Sequence, residues 1–459
     1  MRKFNTAAVC IPKYHYMVDL TGRLQQIKEM VDDGKYFTIN RARQYGKTTT
    51  LKALEEYLAD EYLVVSLDFQ MIDNSTFRTA GTFARAFSRL MMDADEFYGV
   101  DIPHEILEAF EKLNDRSSDE VYLDDLFRII RKWCKRSDKP VVLFIDEVDS
   151  ATNNQVFLDF LAQLRGNYIR RETVPTFHSV ILAGVTDIKN LKRKIRPDEA
   201  HKHNSPWNIA ADFVVDMSFH PADIAGMLED YENDHHTGMD IEEVSQEIYD
   251  YTCGYPFLVC RICQLIDENL AADERFGSLS RAWTKEGISE VVRRILMEPN
   301  TLFESLMGKV LDNGELSDVL QKILFSGEEL SYSLYDTAVS DARMYGFVQN
   351  DDGKVRISNR IFEMLLYNHF LATEEMKDAP IYKVSSNERS KFIVDGQLDM
   401  EHILKRYVEC DHQWDRQLLY RGTDKKQRAD GSGRGLSRAA LCDRDEAVEG
   451  EWYDHSMYL

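Results

Sequence analysis

One stretch constrains this chain more than any other: "KYFTINRARQYGKTTTLKALEEYLADEY", residues 35–62. Its opening, "KYFTIN", is aromatic and β-branched and is entered through Gly34, which predicts a short strand. Its close carries Leu51, Leu54 and Leu58 at helical spacing. Between them lies a loop ending in Gly46-Lys47-Thr48. Strand, loop and helix in this order suit the phosphate-binding pattern G-x-x-x-x-G-K-[ST], except that Arg41 stands where the first glycine belongs. In that reading, backbone N–H groups from Tyr45 to Thr48 cradle phosphate oxygens at a helix N-terminus, whose dipole also favours anions. Lys47 reaches the β- and γ-phosphates of ATP, and the Thr48 hydroxyl binds Mg²⁺. Only the pattern ranks Thr48 above Thr49 for that task. An ordinary strand–turn–helix with a surface lysine would account for the loop alone equally well.

A second stretch bears on the choice. "KPVVLFIDEVDS", residues 139–150, contains an unbroken apolar run from Val141 to Ile145. Such a run marks a central parallel strand buried on both faces. It ends in Asp146 and Glu147, and ligands of open α/β sheets gather beyond the carboxyl ends of the strands. Asp146 fits the acid that supports Mg²⁺, and Glu147 the base that orients and deprotonates an attacking water. An acid-decorated helix start would use the same letters. The order of the two motifs, with about a hundred residues between them, argues for a nucleotide site.

The 459 residues are 44% hydrophobic and 29% charged, enough for two to four domains with real cores. The formal net charge of −23 disfavours nucleic acid as a partner of the whole chain. Seven scattered cysteines and no leader-like N-terminus predict a reducing, cytoplasmic setting, and Cys260 and Cys263 read as core thiols rather than zinc ligands. No apolar run approaches the length of a membrane span.

Strands are expected at 36–40, 62–69, 141–145, 179–184 and 212–217, with helices around 77–93, 103–113, 121–136 and 154–166. That is an α/β fold with a five-stranded, mostly parallel sheet, filling residues 1–220. Residues 221–298 read as a helical lid. Residues 299–373 read as helices leading to "YGFVQNDDGKVRISNRIF", where Asp352-Gly353 turns a hairpin, as in a winged helix. A linker follows at 374–409. The last fifty residues, from Cys410, contain no Ile or Phe and are expected to be a disordered tail, native or the product of a frameshift.

With these pieces placed, the sequence resembles the AAA-like ATPases of the STAND branch, and more closely the bacterial AAA-ATPase-like proteins often fused to a C-terminal PD-(D/E)XK nuclease-like domain. The residues carrying the resemblance are "HYMVD" at 15–19, "YFTINRARQYGKTT" at 36–49, "LFIDEVDS" at 143–150, "SPWNIA" at 205–210 and "GYPFLVCRICQLI" at 254–266. It extends from about residue 5 to about residue 408, and in such proteins the first glycine of the loop is often replaced. By the same resemblance, Pro256 packs on the nucleotide from the lid, with Gly254 allowing the close turn. Thr186 becomes the candidate sensor, with Asp187 as its alternative. The basic stretch at 189–204 reads as holding an arginine finger, Arg193 or Arg196, as touching a polyanion, or as a solvated loop. His15 and Tyr16 are candidate adenine contacts, with a buried aromatic cluster as the plainer reading. Arg41 is expected to face solvent, the lid or a neighbouring subunit. The tail shows neither the Asp nor the Glu-x-Lys that a nuclease centre needs.

The implied function is a Mg²⁺-dependent ATPase acting as a nucleotide-driven switch on a protein partner or a second copy of itself. The alternative is a nucleotide-regulated winged-helix module, DNA-binding or regulatory, with little hydrolysis. No basic recognition helix stands out in 300–345.

Overall fold

Short strands rich in apolar and β-branched residues, separated by amphipathic helices, build a parallel sheet in the computed structural model. The model describes residues 2–186, 188, 207–270, 272–326, 330–333 and 335–372, and the backbone of 393–394 and 397–398. The chain divides into two units, Met1–Ala372 and Thr373–Leu459. In the second, Ile393–Val394 pairs antiparallel with Gln397–Leu398. All that follows concerns the first.

Four strands, β1 (Tyr36–Asn40), β2 (Leu63–Asp68), β3 (Val141–Asp146) and β4 (Ser179–Gly184), form the sheet in the order β1-β4-β3-β2, all parallel. β3 lies between two neighbours with helices on both faces, so all six of its residues are buried. On one face α1 (Thr21–Asp32) and α2 (Lys47–Leu58) bury Ile27, Val31, Leu54 and Leu58 against Phe37, Val142 and Phe144. The other face is aromatic. There α3 (Ala80–Tyr98), α5 (Leu123–Arg136) and α6 (Gln155–Ile169) pack Phe83, Phe87, Phe127 and Phe160 together, with α4 (His104–Asp115) beside them.

The expected fifth strand at 212–217 does not form. Ala211 makes one parallel bridge to Phe37, its N–H donating to the Tyr36 carbonyl at 2.8 Å. Beyond it the segment is held by side chains instead of a ladder. Phe213 stacks on Phe37 with ring centroids 5.9 Å apart, and Val215 and Met217 are buried in the core. The Val215 carbonyl, which a ladder would have used, accepts from the Arg41 guanidinium at 2.7 Å. The segment thus satisfies the apolar pattern that predicted a strand without β1 supplying its hydrogen bonds.

Beyond the sheet come α7 (Pro221–His235), α8 (Ile241–Thr252), α9 (Pro256–Leu265), the short α10 (Leu279–Ala282) and α11 (Lys285–Met297). They are followed by α12 (Thr301–Asp312), α13 (Gly314–Gln321) and α14 (Thr337–Tyr345). A hairpin of β5 (Val348–Asp351) and β6 (Lys354–Ile357) then leads to α15 (Arg360–Ala372). Its turn residues Asp352 and Gly353 both have positive φ, 47° and 81°, as a two-residue hairpin turn requires.

Candidate functional site

The loop from β1 enters α2 at Gly46, whose φ of 76° is left-handed and suits glycine. No side chain caps this helix start, so its first N–H groups face outward with the helix dipole behind them. Lys47 is the first helical residue and is buried. Its ammonium donates to the carbonyls of Arg41 and Ala42, at 3.1 and 3.0 Å. Burial lowers its pKa, and the nearby carboxylates of Glu147, Asp149 and Asp146 oppose that.

The Thr48 hydroxyl donates to Asp146 Oδ2 at 2.6 Å, joining the helix start to the end of β3. Asp146 Oδ1 accepts from the Glu147 N–H at 2.9 Å. Burial raises the pKa of both acids. The Thr48 bond opposes the shift at Asp146, and the Lys47 charge opposes it at Glu147. Glu147 has a left-handed φ of 53°, an uncommon conformation for a residue with a side chain and one that concentrates at functional sites. Asp149 does something different. Its Oδ2 and Oδ1 accept from the backbone N–H groups of Val185 and Thr186, both at 2.7 Å. A Cβ on Gly184 would lie 3.0 Å from that carboxylate, so glycine is what lets the end of β4 close against it.

Lys47, Thr48, Asp146 and Glu147 share one cavity of about 670 Å³. Tyr45, Gly46, Lys47, Thr48 and Thr49 form its floor, and Asp146 and Glu147 one side. Thr49 is engaged elsewhere: its hydroxyl accepts from the Cys10 N–H at 3.2 Å, tying the N-terminal segment to α2. Residues 5–10 of that segment also border the cavity, and Ala8 there has a left-handed φ of 59°. The far wall is apolar, with Val18, Leu20, Phe219 and Met227. Pro256 completes it from the first turn of α9. The turn before it depends on Gly254, which has a φ of 72° and whose Cβ would fall 2.3 Å from the Phe219 carbonyl.

Most other sequence candidates fall outside this wall. Thr186 does not line the cavity, and its N–H is held by Asp149. His15 is off the wall as well, its Nδ1 accepting from the Ile11 N–H at 2.8 Å. Tyr16 borders the cavity, but its ring belongs to an aromatic cluster with Phe4 and Tyr231, and its hydroxyl donates to Asp234 at 2.9 Å. Asp187, Arg193 and Arg196 lie outside the described residues. Arg41 is turned inward rather than outward to solvent as expected. Its guanidinium is half-buried over the Phe213 ring and bonds the Asn40 and Val215 carbonyls.

The cavity also holds residues that the sequence reading passed over. Asp68 and Gln70 line it at the end of β2, where Asp68 pairs in register with Asp146. The signal was present, since Asp68 ends the run "LVVSL" as Asp146 ends "VVLFI". Thr301 and Arg261 line it from helices remote in sequence, and no local pattern would have marked them.

The donor set fits a nucleotide with Mg²⁺. An uncapped helix N-terminus and a buried ammonium suit phosphate oxygens. A hydroxyl beside a carboxylate supplies the hard oxygens that Mg²⁺ takes together with substrate phosphates.

A family model described as an AAA-like domain matches residues 13–370. No curated protein matches the chain. Among solved structures, a Walker-type ATPase of Pyrococcus abyssi is similar with a TM-score of 0.53 at 12% identity, covering 79% of this chain and 99% of that one. Cdc6p of Pyrobaculum aerophilum reaches a TM-score of 0.37 at 14% identity, covering 79% and 97%. The RuvB Holliday junction branch migration motor of Thermotoga maritima reaches 0.37 at 10% identity, covering 76% and 95%. At 12% identity the likeness to the Pyrococcus abyssi ATPase is one of fold. Among the described residues, no helix is long and apolar enough to cross a membrane.

Proposed function

The chain belongs to the AAA-like domain family, and from that premise we propose that it is an ATP-binding, Mg²⁺-dependent P-loop ATPase of the STAND type that works as a nucleotide-driven switch. The observation that carries the reading is the Thr48–Asp146 hydrogen bond of 2.6 Å beside the buried Lys47 ammonium, on the floor of a nucleotide-sized cavity.

The N–H groups of Gly46, Lys47 and Thr48 bind phosphate oxygens. Lys47 exchanges its two loop-carbonyl partners for the β- and γ-phosphates, a stronger pairing because both partners are charged. Thr48 and Asp146 would hold Mg²⁺, which neutralises phosphate charge as it builds up. Glu147 orients the attacking water and takes its proton. Its raised pKa brings its proton affinity closer to neutrality, as suits a general base. Tyr45 supports the cradle from the loop, and Pro256 closes the apolar side where a base would lie.

In this reading residues 1–220 are the ATPase core, 221–298 the lid and 299–373 a winged-helix-like region, to which the β5–β6 hairpin lends its shape. Nucleotide state sets the angle between them, and the output passes to a protein partner or a second copy of the chain. The cysteines at 10, 134, 253, 260 and 263 are unbridged, in keeping with the cytoplasmic location we infer. Phosphate release from ATP, measured in Mg²⁺ and in EDTA, with and without DNA, tests the proposal. Release that needs Mg²⁺ supports it, and no release under any condition refutes the ATPase.

A further inference from the structure

The loop residue just before the cradle is strained and doubly placed. Gln44 has a left-handed φ of 56°, which a residue with a side chain adopts only when its surroundings impose it. Its side chain lines the same cavity as Lys47. Its Nε2 donates to Thr301 Oγ1 at 3.2 Å, at the first turn of α12. Its Oε1 is buried with no hydrogen-bond partner among the described residues.

The Nε2 amide carries two N–H groups, and the bond to Thr301 uses one of them, so the other is left for an acceptor in the cavity that Gln44 borders. A cavity-facing amide donor needs an acceptor, and phosphate oxygens are the acceptors this floor is built for. The neighbouring residues connect the loop to the same distant region. Arg43 donates to Ser305 Oγ at 3.1 Å, also on α12, and the Tyr255 hydroxyl donates to the Arg43 carbonyl. Gly346, after α14, lies against Ala42 so closely that its Cβ would come 2.8 Å from the Ala42 Cβ. Asn300, the α12 cap, and Thr301 themselves border the cavity.

We propose that Gln44 binds the terminal phosphate through its amide N–H and, through its bond to Thr301, reports that phosphate to α12. The proposal rests on the nucleotide reading above and deepens it by naming the contact through which the phosphate state reaches residues 301–312. ATP engages the amide; ADP, lacking the last phosphate, leaves it with Thr301 alone.

Hydrogen–deuterium exchange of the full chain, followed over peptides covering 301–312, tests this with ATP and ADP in the presence of Mg²⁺. ATP, but not ADP, should slow exchange there by about tenfold or more, the scale of one charge-assisted hydrogen bond. Thr301→Val should abolish that difference while keeping ATP affinity within about threefold, since it removes the hydroxyl and keeps the shape. Thr301→Ser should restore it, which separates the hydroxyl's role from packing. Gln44→Ala should abolish it too, and should lower the preference for ATP over ADP by roughly tenfold. ATP-dependent protection that survives in Thr301→Val, or an ATP-to-ADP preference unchanged in Gln44→Ala, would overturn the inference. Parent protein that binds ATP without any change over 301–312 sinks this inference alone. Parent protein that binds no nucleotide sinks the P-loop reading itself.

Discussion

Residues 41–44 and residues 45–48 are neighbours in one loop, yet their side chains serve different parts of the molecule. Arg41 holds the 211–217 segment, Arg43 and Gln44 bond Ser305 and Thr301 of α12, and Ala42 lies under Gly346. Lys47 and Thr48 turn to the cavity and to Asp146. The first half fastens the loop to its surroundings, with Gln44 at its end also bordering the cavity, and the second half presents charge and N–H groups to a ligand. The difference shows why the pattern tolerates an arginine at its first position. Phosphate binding draws on the uncapped helix start and one buried cation, and neither depends on a glycine at position 41.

The comparison breaks most visibly at the end of β3. Glu147→Gln should keep ATP binding and slow turnover by roughly 10²–10⁴-fold, the reach of a positioned base. The parallel substitution Asp149→Asn disturbs a latch on β4 and should show mainly as lowered stability. If Asp149→Asn stops turnover in a stable protein and Glu147→Gln does not, the roles of the two acids are reversed.

Lys47→Ala comes next. Losing a charge-assisted contact worth about 1.5–3 kcal/mol should weaken ATP binding by roughly 10- to 100-fold. Competition with a fluorescent ATP analogue would measure it, and an unchanged affinity would remove Lys47 from the phosphate site.

Arg41→Ala tests the other half of the loop. It leaves the Val215 carbonyl without its guanidinium donor, so stability should fall by about 1–3 kcal/mol in denaturant melts. ATP affinity should stay within a few-fold of the parent. Loss of affinity comparable to that of Lys47→Ala would mean that Arg41 itself touches the nucleotide.

The smallest effect is a pH dependence. Burial raises the Glu147 pKa, so the native state keeps this proton to higher pH than the unfolded chain does. By linkage, Glu147 then takes stability away as pH rises through the ordinary carboxylate range toward its raised native value. Glu147→Gln removes that loss. Its melting temperature relative to the parent should therefore rise as pH climbs above about 4, the ordinary carboxylate range. A gap that narrows over that range would reverse the sign assigned to the burial of this acid.

Much of this was legible because chemistry and periodicity coincide in short segments. β3 and β4 carry continuous apolar runs and β1 is aromatic and β-branched, and the Gly46-Lys47-Thr48 and Asp146-Glu147 motifs stand after β1 and at the end of β3. The segment at 212–217 misled because burial alone gives a strand-like pattern, while hydrogen bonding decides whether a strand forms. There the Arg41 guanidinium takes the Val215 carbonyl. Thr301 and Asp68 were passed over for different reasons. Thr301 reaches the cavity from more than 250 residues along the chain, a distance only the fold can close. Asp68 was visible at the end of its strand, but its register with Asp146 appears only once β2 and β3 pair.

Calorimetric titration of the full chain with ATP in Mg²⁺ tests the central claim most directly. The account predicts saturable binding of one ATP per chain, weakened when Mg²⁺ is removed by EDTA. Folded protein, verified by circular dichroism, that gives no saturable heat with ATP would contradict it.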